Sequence, residues 1–235
     1  MHPENTLSRR AFVHRAGLGA AAAALAGCAA GTPPYAPAPQ PTRDPAEALE
    51  RLRQGNARYV AGRPLRFRLD EARRMELAGG QTPVATVFAC VDSRVPVERV
   101  FDQAHGELVV VRTAAHVVDE AAMGSIEFGV AQLRSPLVVV LGHERCGAVS
   151  AAITHADAGT RAPGSIQAVV AGLRPAVDAA RGQAGDRVEN TTRTHSRMVA
   201  ERLAASPLIG PALGTSVRIV YAYYEIQSGR VEFLG

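Results

Sequence analysis

Lysine and tryptophan are both absent from this chain of 235 residues, and cysteine occurs only three times. Three cysteines are too few for a disulfide scaffold, so the fold must rest on a packed core. Every basic residue is arginine. These arginines are spread along the chain, and the net charge is only +4. That lacks the clustered positive footprint of a nucleic-acid binder, and no nucleic-acid partner is expected. No apolar run reaches the roughly 20 residues that cross a bilayer as a helix, and no repeat of solenoid length is visible. What remains is an ordinary globular composition, 47% hydrophobic, long enough for one sizeable α/β domain with extras.

The N-terminus departs from that pattern. Arg9 and Arg10 are followed by Phe12 and by an alanine-rich apolar run over residues 16–27. A basic start before about a dozen apolar residues has the form of a signal peptide. The paired arginines resemble a twin-arginine (Tat) export signal, with Sec export as the other route. Leu25, Ala26, Gly27 and Cys28 resemble a bacterial lipobox, in which Cys28 becomes the lipidated first residue. Residues 28–44 are rich in proline and read as an extended tether. The expectation is therefore a Tat-like lipoprotein signal peptide over 1–27, a tether over 28–44 and a folded domain over 45–235. The protein would be exported and held on the outer face of a bacterial membrane, at the cell surface or in the periplasm, by its N-terminal lipid only.

Within the domain, Asp44, Pro45 and Glu47 form a helix start: a capping aspartate, proline at the first position and glutamate three residues after the cap. Short apolar runs at 84–89, 107–112 and 137–141 read as buried strands. Helical patterns lie between and after them, at 95–102, 121–133, from 146 to about 154, and at 166–181, where Pro175 is expected to kink or break the helix. Asp186 is placed to cap a further helix. Residues 216–224 and 231–234 read as a strand and a hairpin partner. This alternation predicts an α/β fold with a mostly parallel central sheet flanked by helices and an antiparallel C-terminal edge. In such sheets ligands gather at the carboxyl ends of strands, where the strand order switches.

Two motifs stand at such ends. Cys90, Asp92 and Arg94 follow the first strand, and His143 and Cys146 follow the third. Two thiols and one imidazole are the donor set of a catalytic zinc site with an open fourth position. A nearby carboxylate can accept the hydrogen of a zinc-bound water, and a guanidinium can keep it ionised and aimed.

The paired patterns Cys-x-Asp-x-Arg and His-x-x-Cys resemble those of β-class carbonic anhydrases. So do the stretches 110–114, 124–128 and 141–148, and the likeness extends from about Ala46 to the C-terminus. The resemblance implies a Zn2+ enzyme that converts carbon dioxide to bicarbonate and a proton. Cys90, His143 and Cys146 would be the metal ligands, and Asp92 and Arg94 the catalytic pair. Asp92 could instead be a fourth ligand in a closed state. His116, after the second strand, could line the mouth or relay protons. The resemblance also implies a homodimer or higher homo-oligomer, with the first helix packed on a partner subunit or on its own domain. Tat export would let zinc load in the cytoplasm before release. Where the family often has Arg-Asn-Ala-Gly-Asn, this chain has Arg112, Thr113, Ala114, Ala115 and His116. Ala115 in place of glycine would alter the local backbone. The absence of tryptophan argues against an indole-lined regulatory bicarbonate pocket. Two other readings share the motifs: a hydrolase of carbonyl sulfide or carbon disulfide, and a non-catalytic zinc-stabilised surface lipoprotein.

Overall fold

Two runs of apolar residues form the centre of the molecule. The computed structural model describes residues 35–37, 39–212 and 214–235. The expected signal peptide, Cys28 and the first part of the expected tether lie outside the described residues. β1 (Ala85–Cys90) and β3 (Leu137–His143) are buried along their whole length. Strands covered on both faces read as continuous apolar runs because neither face meets water. They pair in parallel, from Thr86 opposite Val138 to Ala89 opposite Leu141. β2 (Leu108–Thr113) lies parallel on the other side of β1, at the sheet edge. It is only half-buried. β4 (Arg218–Tyr224) runs parallel beside β3, and β5 (Val231–Phe233) closes the sheet antiparallel to β4. The strand order is β2-β1-β3-β4-β5. The expected fold class is the one observed.

The order has one consequence for function. The chain leaves β1 for β2 on one side and returns for β3 on the other. The carboxyl ends of β1 and β3 therefore flank the switch in strand order, the place where such sheets bind ligands.

Helices cover both faces. α1 (Pro45–Val60) starts as the sequence predicts, with Asp44 Oδ1 accepting a hydrogen bond from the Ala46 amide at 2.8 Å. Its buried Leu49 and Leu52 join α3 (Val97–Val100) on the face of β3 that presents Leu137, Val139 and Leu141. Asn56 locks α1 to its own domain. Its Nδ2 donates to the carbonyls of Val100 and Gly229, and its Oδ1 accepts from the Val231 amide. A short α2 (Glu71–Ala78), capped by Asp70, buries no residue.

On the opposite face, Phe88, Val138 and Val140 pack with Ile126 and Val130 of α4 (Glu120–Ala131) and with Val199 and Leu203 of α7 (Arg187–Ala204). Gly129 lets α4 approach β1 closely, since a Cβ there would stand 2.4 Å from Thr86 Oγ1. Asp186 caps α7 as predicted, accepting from the Glu189 amide at 2.7 Å.

α5 (Gly147–Ala158) and α6 (Ile166–Ala179) pack beside the switch. The expected break at Pro175 does not occur, and α6 runs through it. Val170 and Leu173 before the proline and Ala176 and Val177 after it are buried, so both halves are held by packing. Among the described residues, no helix is long and apolar enough to cross a membrane.

Candidate metal centre

β1 ends at Cys90 and β3 at His143, on the same side of the sheet. Cys146 follows three residues later as the N-cap of α5. The tight return between them is made by Arg145, which sits in the left-handed region at φ 52°. One ligand atom from each of the three residues lies within 4.8 Å of the others, and all three residues are buried. Among the described residues this group contains Cys90, His143 and Cys146 and does not contain Asp92.

His143 Nδ1 is 2.9 Å from the carbonyl of Glu144. A carbonyl can only accept, so Nδ1 carries the hydrogen and Nε2 carries the lone pair. That Nε2 is buried and has no hydrogen-bond partner. A buried, unpartnered nitrogen facing two sulfurs is costly in the protein alone. A cation that takes nitrogen and thiolate donors satisfies it, and the Cys2His set fits zinc with one position left open.

One of the two sulfurs is already biased toward that state. Hydrogen bonding with Cys146 is the main cause that lowers the Cys90 thiol to about 4, with the backbone of Asp92 and Ala115 adding to it against desolvation. The Ala115 amide donates to Cys90 Sγ at 3.2 Å. Cys146 is pushed up by the bond it shares with Cys90 and by burial, while the backbone of Val149 and Ala148, at the start of α5, acts in the opposite direction. Cation binding to such a pair displaces the remaining thiol proton.

Asp92 and Arg94 form a fork beside this centre. Arg94 Nε donates to Asp92 Oδ1 at 2.9 Å, its Nη2 donates to Oδ2 at 2.7 Å, and its backbone N–H also donates to Oδ1 at 2.9 Å. The Arg94 side-chain bond holds the Asp92 carboxyl well below the usual carboxylate range, against desolvation. Asp92 Oδ2 stands 3.9 Å from His143 Nε2. Both carboxylate oxygens are engaged by Arg94, so closing onto a metal would require that fork to open. Arg94 is half-exposed, and such a pair orients a group more than it stabilises the fold.

Arg112, quoted in the sequence only as part of a motif, completes the arrangement from β2. Its Nε donates to the Cys90 carbonyl at 2.8 Å and its Nη2 to the Asp92 carbonyl at 2.6 Å. The guanidinium thus grips the backbone on both sides of Val91. This role depends on the β1–β2 register, which sets Ala89 opposite Arg112.

His116 follows β2, as the sequence places it. It does not line the mouth: it is 1% exposed. Its Nε2 is 3.1 Å from Ser196 Oγ, and its ring centroid is 4.8 Å from that of His195. Burial holds its pKa well below the ordinary histidine value, so the ring stays neutral. The physical reason is the backbone. Ala115 and His116 both adopt left-handed conformations, at φ 49° and 45°. The turn carries the ring into the interior behind the metal centre, away from solvent. His195 is buried with it.

Comparisons with known proteins agree with this geometry. The family model described as carbonic anhydrase matches residues 85–231. Carbonic anhydrase 2 of Mycobacterium tuberculosis is 42% identical over 192 residues, covering 81% of this chain and 93% of that protein. A carbonic anhydrase of Mycolicibacterium smegmatis is 42% identical over 195 residues, covering 82% and 94%. Among solved structures, one of two tetrameric β-carbonic anhydrases from Sordaria macrospora superposes with a TM-score of 0.62 at 25% identity, covering 69% of this chain and 85% of that one. A β-carbonic anhydrase of Aspergillus fumigatus gives 0.60 at 25% identity, covering 80% and 89%. With the parallel sheet, the buried Cys-His-Cys cluster and these relatives together, the chain belongs to the β-class carbonic anhydrases.

Proposed function

We propose that this chain interconverts carbon dioxide and bicarbonate, with zinc held by Cys90, His143 and Cys146. The observation that carries this reading is the unpartnered Nε2 of His143 set against two sulfurs, with an ionised Asp92 3.9 Å away. Bound there, zinc supplies the Lewis acidity that makes water a nucleophile near neutral pH.

The protein's own groups do the rest. Asp92 is an acceptor only, because Arg94 keeps it ionised. It can take a hydrogen bond from the attacking water and fix where the lone pair points. Arg94 holds both carboxylate oxygens, and Arg112 holds the backbone that carries them. The released proton leaves to buffer past the half-exposed Arg94. His116 is sealed from solvent, so we assign it no part in that transfer.

Stopped-flow carbon dioxide hydration tests the assignment. Asp92→Asn keeps the shape and removes the charge. Turnover should fall on the order of 10²-fold with zinc still bound one per chain. Unchanged turnover in that variant would remove Asp92 from the mechanism.

The N-terminal motifs support export as a lipoprotein anchored through Cys28, with the proline-rich tether spacing the domain from the membrane. Cys28→Ser should move the protein from the membrane fraction to the soluble one without changing catalysis. Membrane retention of that variant would sink the lipoprotein reading. The tetrameric relatives from Sordaria macrospora support a homo-oligomer here as well.

A further inference from the structure

The turn that delivers the Ala115 amide to Cys90 is strained. Ala115 sits at φ 49°, ψ 31°, and His116 follows at φ 45°. L-residues are disfavoured in the left-handed region, where Cβ crowds the following carbonyl oxygen, and here two follow in succession. Such a conformation persists only where the surroundings over-determine it. Here the surroundings are specific. Thr113 Oγ1 donates to the Val117 carbonyl at 2.8 Å, and the Val117 amide donates to the Ala114 carbonyl at 3.2 Å, which closes the turn on itself. From behind, α7 presses two residues against it.

Ser196 is the first. Its Oγ donates to the Thr192 carbonyl at 3.0 Å and lies 3.1 Å from His116 Nε2. The single hydroxyl hydrogen is used on Thr192, so His116 Nε2–H is the donor of the second bond. That leaves His116 Nδ1 as a buried, unpartnered acceptor. His195 is the second: its ring is tilted against that of His116, with centroids 4.8 Å apart. Thr192, one turn before Ser196, packs on β3 instead. With Ser196 it lies against Gly142, next to the ligand His143. A Cβ at position 142 would stand 2.6 Å from Ser196 Oγ and 2.7 Å from Thr192 Cγ2. On its other side His116 meets Phe88 edge-on at 6.1 Å.

We propose that Ser196 and His116 are positioning residues for the metal centre: the buried hydroxyl–imidazole bond holds the strained 113–117 turn so that the Ala115 amide stays on Cys90 Sγ. The amide then favours the thiolate and fixes the direction of its remaining lone pairs. α7 thereby steers a ligand it does not touch. The proposal rests on the zinc reading of Cys90, His143 and Cys146.

Zinc affinity by chelator competition and hydrogen exchange at the Ala115 amide test it together in the full chain. Groups that orient a ligand typically contribute 10–100-fold to metal affinity. Ser196→Ala should weaken zinc binding by about 10-fold and make the Ala115 amide exchange faster, with the bulk of α7 still protected. Ala115→Gly removes the need to enforce a left-handed residue at 115. Added to Ser196→Ala, it should recover part of the lost affinity, which a mere packing defect in α7 would not allow. Wild-type zinc affinity and an unchanged Ala115 amide in Ser196→Ala would overturn the proposal, as would a weakened affinity that Ala115→Gly does not relieve. Should Ser196→Ala fail to fold, Thr113→Val opens the same turn from its other side. It should show the same paired loss, and its absence would be equally fatal. Failure of the wild-type chain to bind zinc would instead overturn the metal reading itself, and this proposal with it.

Discussion

His143 and His116 are both buried to 1% exposure, and both sit just beyond the carboxyl end of a parallel strand or at its last residue. Yet one offers a lone pair to two sulfurs, and the other donates a hydrogen to a serine. The difference lies in what each second nitrogen meets. His143 Nδ1 is tied to the Glu144 carbonyl, which leaves Nε2 bare and facing Cys90 and Cys146. His116 Nε2 is spent on Ser196, and its free Nδ1 has no thiol or carboxylate beside it among the described residues. Burial and position in the sheet do not make a ligand. The hydrogen bond on the far side of the ring does.

Exchanging the roles of the two regions tests that contrast most strongly. Cys146→Ser or His143→Ala should lose zinc and carry carbon dioxide hydration down to the uncatalysed background, because two remaining donors do not make a tight site. His116→Ala should still take up one zinc per chain, bound about 10-fold more weakly, and should cost about 2–4 kcal/mol of stability through an internal cavity. Zinc content and urea unfolding, measured side by side, separate the two. Loss of zinc in His116→Ala with stability intact would erase the distinction drawn here.

A smaller effect sharpens it through pH. Desolvation lowers His195 to about 4 from 6.5, against hydrogen bonding to the backbone of His116 and Ala115. A histidine whose folded pKa lies below its unfolded value binds fewer protons folded than unfolded. Its contribution is therefore fully present above about pH 6.5 and is lost as pH falls toward 4. The loss reaches at most about 3 kcal/mol. His195→Gln should flatten the fall in unfolding free energy over that window relative to wild type. Equal slopes in the two proteins would mean that the buried pair is not held neutral.

These results also show which features a sequence can carry. The ligand set was legible because zinc chemistry demands particular residue types, and because short apolar runs announce where strands end. Cys90, His143 and Cys146 needed no more than that to be placed at one crevice. The parallel sheet and its antiparallel edge were legible from the same runs. Arg112 was visible only as a motif member. Its grip on the Cys90 and Asp92 carbonyls exists because β2 pairs with β1 in one register, and no local pattern encodes that. The burial of His116 was missed because the chain itself carries no glycine at the turn; Ala115 keeps the left-handed backbone that the family's glycine would take, at φ 49°. Ser196 and His195 were invisible for a simpler reason. They act across about 80 residues of chain, on a turn whose shape they help to create. At Pro175 a local rule allowed a kink or a break; the helix continues through it, with buried residues on both sides.

The central claim is that one cation held by two thiolates and one imidazole drives the reaction. It is tested most directly by titrating metal-depleted protein with zinc while following carbon dioxide hydration in stopped flow. The rate should rise in proportion to zinc and stop rising at one equivalent per chain, and Cys146→Ser should show no rise at all. A chain that takes up one zinc and still leaves the reaction at its uncatalysed rate would contradict the account.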